Sequence, residues 1–209
     1  MKCANEYEIA WWNEGKEKIV GIDEAGRGPI AGPLVVAAVA FPKGFSHETI
    51  YDSKKLSEKK REQLYDEIIA LASEYHIEIV SPQVVDELNI YRATQKTMLD
   101  LANQFCDADG VLTDAMPLPD ATLDVIPLVK GDQKSVSIAA ASILAKVTRD
   151  RIMKEYDEKY PEYGFKNHKG YPTKGHIEAM HKYGLIEGLY RKSYGPVAKM
   201  AQMSLSFDD

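Results

Sequence analysis

The sequence predicts an α/β fold built around a mixed sheet, and three features carry that prediction. Strand-length apolar runs alternate with stretches of helical periodicity. The run 34–41 is almost wholly apolar, as expected of a strand buried on both faces. The strands 18–23 and 34–41 follow one another through a glycine-rich turn, so at least one pair is antiparallel. Further along, Ser57 caps a helix whose apolar positions Leu64, Ile68, Leu71 and Tyr75 share one side. A strand is expected over 76–80, and Ser81 with Pro82 opens another helix. Tyr91, Thr94, Met98, Leu101 and Phe105 keep helical spacing, and 110–114 is a short strand ending on Asp114. The stretch 116–127 is loop plus a brief strand. Ser135 then opens an Ala-rich helix over 136 to about 156, its small residues suited to close packing on a sheet. Residues 161–172 are an aromatic, basic loop, Thr173 caps a helix to about 183, and a short final helix follows Pro196.

Of the 209 residues 44% are apolar and 28% charged, which fits one ordinary globular domain with a self-sufficient core. The longest apolar run, 33–41, is too short to span a bilayer. Glu6 and Glu8 precede Trp11 and Trp12 where a secretory leader would be basic then apolar, so a cytoplasmic protein is expected. Cys3 and Cys106 offer no disulfide framework. A net charge of −6 argues against nonspecific coating of nucleic acid. It leaves room for an enzyme with local basic surface, and Lys54, Lys55, Lys59, Lys60 and Arg61 form one such cluster. Lys166, His168, Lys169 and Lys174 form a second, and Arg191 with Lys192 a third. A solvated surface explains any one of them equally well.

The segment from Gly21 to Pro29 carries the sharpest chemistry. Asp23 and Glu24 end a buried strand, where carboxylates are costly unless paired or bound to a cation. Gly26, Arg27 and Gly28 then combine close backbone approach with a forked phosphate donor. A polar hairpin turn with Arg27 paired to Glu24 is the plainer alternative. Asp114 ends its own strand, and Asp132 precedes the Ala-rich helix, where a lone Asp is more often a cap. Four converging carboxylates repel unless divalent cations lie between them, and hard oxygen ligands suit Mg2+.

Read as a series, 23–28 with Gly32-Pro33, 52–57, 130–132, 140–150, 168–173 and 191–196 resembles type 2 ribonuclease H, the bacterial RNase HII family, in order and over almost the whole chain. The resemblance implies an RNase H-like core over about 1–160, a mixed five-stranded sheet flanked by helices, with a helical C-terminal part over 161–200. It implies cleavage of RNA in RNA/DNA hybrids and on the 5′ side of single ribonucleotides in DNA, leaving a 3′-hydroxyl and a 5′-phosphate. A two-metal site of Mg2+ or Mn2+ is implied on Asp23, Glu24, Asp114 and Asp132. Gly26, Arg27 and Gly28 would touch the 2′-hydroxyl, and Tyr171 would stack on the following sugar. Lys54, Ser142, Lys146, His168 and Lys169 match motif positions and are read as phosphate or groove contacts. Asp150 competes with Asp132 as the fourth acid but lies well inside a helix, beside Arg149 and Arg151, so Asp132 is preferred. Asp52 is read as a turn residue.

The segment 201–209 follows the last expected helix. Its Gln202, Leu205 and Phe207 resemble the peptide with which bacterial replication and repair proteins dock on the sliding clamp, as opposed to a terminus folded back on the domain. A monomer is the simplest expectation. Three alternative readings fit less well. Type 3 ribonuclease H usually adds an N-terminal domain. A noncatalytic hybrid-binding protein would lack one of the acids. A P-loop enzyme needs a Gly-x-x-x-x-Gly-Lys-Ser/Thr loop that this chain lacks.

Overall fold

The computed structural model describes residues 5–205, with side chains through 202. The chain forms two compact units: Met1–Ala25, Val35–Glu78 and Thr94–Val147 in one, Gly26–Leu34, Ile79–Ala93 and Thr148–Asp209 in the other. The second contains the expected helical part together with two segments from earlier in the chain.

In chain order the elements begin with α1 (Glu6–Asn13), β1 (Ile19–Ala25), β2 (Leu34–Ala40), α2 (Glu58–Leu71), β3 (Glu74–Val80), α3 (Pro82–Leu88) and α4 (Ile90–Ala102). They continue with β4 (Gly110–Asp114), β5 (Asp124–Leu128), α5 (Val136–Lys159), α6 (Phe165–His168), α7 (Lys174–Tyr183) and α8 (Gly195–Leu205). Among the described residues the strands form one five-stranded sheet in the order β3-β2-β1-β4-β5. β1 pairs antiparallel with β2 and parallel with β4, and β4 pairs parallel with β5. The sheet is therefore mixed, as the sequence predicts.

In the first unit β2 is buried along its whole length, which accounts for its unbroken apolar run. Trp11, Ile19, Leu112, Leu128 and Ile138 form one buried cluster, bringing α1, three strands and the start of α5 together. Gly21 permits close packing there, because a Cβ on it would collide with the Ser137 backbone. In the second unit Ile30, Met153, Phe165, Met180, Leu189, Tyr190 and Val197 form a separate core. Tyr163 and Phe165 stack within it, ring centres 5.5 Å apart.

Local differences from the sequence reading have identifiable causes. Tyr75 lies in β3 and not on α2, because the chain turns extended at Ala72 and the Ser73 N–H and hydroxyl both donate to the Ala40 carbonyl. Asn89, at φ 62°, separates α3 from α4, and Phe105 lies beyond the end of α4. Residues 165–168, expected as loop, close one helical turn. α8 runs on to Leu205, so Gln202 and Leu205 belong to the last helix and do not follow it.

Gly21→Ala should destabilise the protein by about 2–3 kcal/mol, since neither β1 nor the α5 backbone can give way cheaply. A denaturant midpoint equal to that of the wild type would show that the packing is looser than described.

Candidate active site

The paired strands bring the first acids together. Asp23 and Glu24 lie at the C-terminal end of β1, and the β1–β4 register aligns Ile22 with Thr113. Asp114, the next residue of β4, therefore ends its strand beside Asp23. Asp23 is buried; its Oδ1 accepts the Glu24 N–H at 2.7 Å, and the Ser142 hydroxyl also supports it. Burial first, then the charges of Glu24 and Asp114, push the Asp23 carboxyl well above the usual carboxylate range.

Asp132 is buried in the 3₁₀ turn Gly131–Gln133, entered through Lys130 at φ 58°. The Gly131 N–H donates to Asp114 Oδ1 at 2.8 Å, so this turn holds one acid while carrying another. Burial first, then Asp52 and Asp114, raise the Asp132 pKa, with Lys54 opposing. Asp52 does cap the turn Ser53–Lys55, accepting the Lys54 N–H at 3.0 Å. It also stands against Asp132 and takes a hydrogen bond from Gln133. The sequence reading stopped at its turn role, because only the fold brings 52 and 132 together.

Among the described residues, no three His, Cys, Asp or Glu side chains close on a single point tightly enough to cage an ion. The four expected acids instead form an electrostatically linked series, Asp23 with Glu24 and Asp114, then Asp114 with Asp132. The donor set fits a hard divalent cation: carboxylates only, with positive charge the remedy for the repulsion Asp23 feels. Ser142 is buried against Asp23 and Ser53, its Oγ 3.0 Å from that of Ser53, and so braces an acid where a groove contact was expected. Lys54 is exposed and Lys146 half-buried.

The remaining expected residues belong to the second unit. Arg27 and Gly28 are exposed, and Gly26 has φ 100°, where any side chain would collide with Arg149. Tyr171 is 48% exposed, and a Cβ on Gly28 would lie 3.1 Å from its ring. Two buried arginines that sequence reasoning did not single out for this role hold the loops. Arg149 donates to the carbonyls of Ala31, Pro33 and Lys169. Arg191 donates to the carbonyls of Gly32 and Arg27, and Tyr194 Oη also donates to the latter at 2.6 Å. Burial, and then the neighbouring Arg191, hold the Arg149 guanidinium down at about 10.

His168 was expected to contact substrate, but both its ring nitrogens are committed to backbone, one donating to Tyr163 O and the other accepting from Gly170 N–H. Lys169, half-buried at φ 51°, follows it. His176 stacks on His168 with ring centres 4.1 Å apart. It donates from Nδ1 to Tyr171 O and lies 3.0 Å from the Tyr190 hydroxyl. Gln202 is exposed on α8, the Leu205 side chain is not described, and Phe207 lies outside the described residues. No helix of the described residues is long and apolar enough to cross a membrane.

The mixed sheet order, with acids near the ends of β1 and β4, is the fold of the ribonuclease H class. Solved structures share the fold: a ribonuclease H2 from Pyrococcus horikoshii aligns over 89% of this chain and 98% of its own, with TM-score 0.75 and 27% identity. A ribonuclease HII from Archaeoglobus fulgidus aligns over 83% and 92%, with TM-score 0.71 and 29% identity. The family model for Ribonuclease HII matches residues 20–195. A ribonuclease HII of Bacillus cereus is 54% identical over 199 residues, 95% of this chain and 77% of the relative. The chain belongs to the ribonuclease HII family, hydrolases that cut within the RNA of RNA/DNA duplexes.

Burial lowers the His176 pKa to about 4, from about 6.5 in an unfolded chain. The folded state thus prefers neutral imidazole, and this contribution is complete above about pH 6.5 and lost as pH falls toward 4. Thermal midpoints should fall between about pH 6.5 and 4.5, and less steeply in His176→Asn. Equal slopes would exclude the histidine as the source.

Proposed function

We propose that this chain cleaves the RNA strand of RNA/DNA hybrids and cuts 5′ of single ribonucleotides in duplex DNA, leaving 3′-hydroxyl and 5′-phosphate ends. The observation carrying this reading is the buried Asp23, held beside Glu24 and Asp114 against mutual repulsion. Asp23, Glu24, Asp114 and Asp132 would hold Mg2+ or Mn2+. Two such ions, when bound, would supply Lewis acidity that lowers the pKa of an attacking water and offsets charge on the leaving oxygen. A ribonuclease HIII of the same fold, 17% identical, was solved with Mn2+, which is in keeping with this donor set.

The chain's own groups then do the selecting. The backbone of Gly26, Arg27 and Gly28 meets the ribose 2′-hydroxyl, a contact DNA cannot make. The Tyr171 ring, exposed and next to Gly28, stacks on the following sugar. Lys54, Lys146 and Lys169 meet phosphates, and His168 steadies the Tyr171 loop from within. The protein acts as a monomer in the replication and repair of cytoplasmic DNA.

The assay is cleavage of a labelled duplex carrying one ribonucleotide, with Mg2+, with Mn2+ and with chelator. Cutting 5′ of the ribonucleotide, dependent on metal and reduced at least about a thousandfold in Asp23→Asn without loss of duplex binding, is the expected result. Cleavage of long hybrids alone would point to a type 3 specificity, and full activity in Asp23→Asn would displace the site.

The Archaeoglobus fulgidus ribonuclease HII was solved in complex with PCNA, which supports a clamp-docking role for Gln202, Leu205 and Phe207 here. A pull-down with a bacterial sliding clamp should succeed with the native tail and fail with Leu205→Ala/Phe207→Ala. Equal recovery of both would end this reading.

A further inference from the structure

Glu8 is fully buried on α1, and the reaction proposed above makes no use of it. Its Oε1 accepts from the Ser135 hydroxyl at 2.6 Å and from the Ser137 N–H at 3.1 Å. Ser135 Oγ in turn accepts from the Ile138 N–H at 3.1 Å, capping the first turn of α5. The Ser135 N–H donates to the Gly131 carbonyl at 2.9 Å, and the Gly131 N–H donates to Asp114 Oδ1 at 2.8 Å. An unbroken run of hydrogen bonds thus leads from α1 to one acid, through the turn that carries another. A core-packing role alone would be filled better by an apolar side chain, because a buried carboxyl costs several kcal/mol unless its bonds offset that. Burial raises the Glu8 pKa, as expected where one oxygen, Oε1, takes both bonds and Oε2 has none.

We infer that Glu8 is a positioning residue for the acidic site: through Ser135 and Gly131 it fixes the 131–133 turn that carries Asp132 and grips Asp114. The inference rests on the metal-dependent reading above and adds a residue far from it in sequence. Glu8 touches no substrate and acts only through the turn. Freedom in that turn spreads Asp114 and Asp132 over several placements. This weakens cation binding and slows the chemical step, while the groups that meet the duplex are untouched.

Glu8→Met keeps the buried volume and removes the acceptor, so it separates positioning from packing. Calorimetric titration of the folded protein with Mn2+ should show binding weakened roughly tenfold in Glu8→Met, the loss typical when a group orienting a ligand is removed. The value of kcat on an RNA/DNA hybrid should fall by a similar factor with KM unchanged. Glu8→Gln, which retains the accepting oxygen, should recover most of both. Ser135→Ala removes the hydroxyl that bonds Glu8, severing the run from its other side, and should weaken Mn2+ binding as Glu8→Met does. It carries the test if Glu8→Met fails to fold. Wild-type Mn2+ affinity and kcat in whichever of the two is folded overturn the inference while leaving the functional reading intact. A wild-type protein that binds no Mn2+ overturns that reading, and this inference with it.

Discussion

The structure depends on placing a carboxylate where a carboxylate is costly. Asp23 is buried near the end of the central strand, and the parallel neighbour β4 delivers Asp114 beside it. Two local donors, the Glu24 N–H and the Ser142 hydroxyl, hold the charge, but they do not cancel the repulsion among the acids. Such tension marks a candidate functional site, and the cation proposed above would relieve the remaining cost. Much of the first unit serves this placement. An apolar β2 screens one side of β1, a glycine at 21 admits the α5 backbone, and the 3₁₀ turn at 131–133 closes on Asp114.

The second unit meets a different demand with the opposite charge. Its glycine-rich segment has no regular ladder of its own, so its carbonyls need donors. Two buried guanidiniums provide them, each reaching several carbonyls at once, as the forked geometry of arginine permits and lysine's single ammonium does not. Backbone bonds from Ile30 to Gly170 and from Arg191 to Ile30 complete the arrangement. Arg27, Gly28 and Tyr171 are left exposed on a firmly held base, which suits the sugar-reading role proposed for them.

Much of this was legible in the chain because it rests on local physics. The unbroken apolar run of β2, the caps at Ser57, Ser81 and Thr173, and the acid closing β4 are all visible in the residues. The four candidate acids were named by motif resemblance, since spacing cannot show that position 23 lies near 114, or 114 near 132. Tyr75 was misplaced because helical spacing persists past Leu71, while the Ser73 bonds to Ala40 that end the helix belong to tertiary structure. His168 and Ser142 sit in motifs rich in functional groups, and only their partners distinguish a brace from a contact.

By itself, then, the sequence determined the α/β class, the mixed sheet, most element boundaries and the family, because periodicity, capping and motif order are written along the chain. The tertiary structure alone decided that Asp52 stands against Asp132, that Arg149 and Arg191 hold the glycine loop, and that Glu8 reaches the α5 N-terminus. These contacts join residues from 20 to 159 positions apart, several of them through a backbone carbonyl that every residue carries, and neither feature leaves a mark in residue type or spacing.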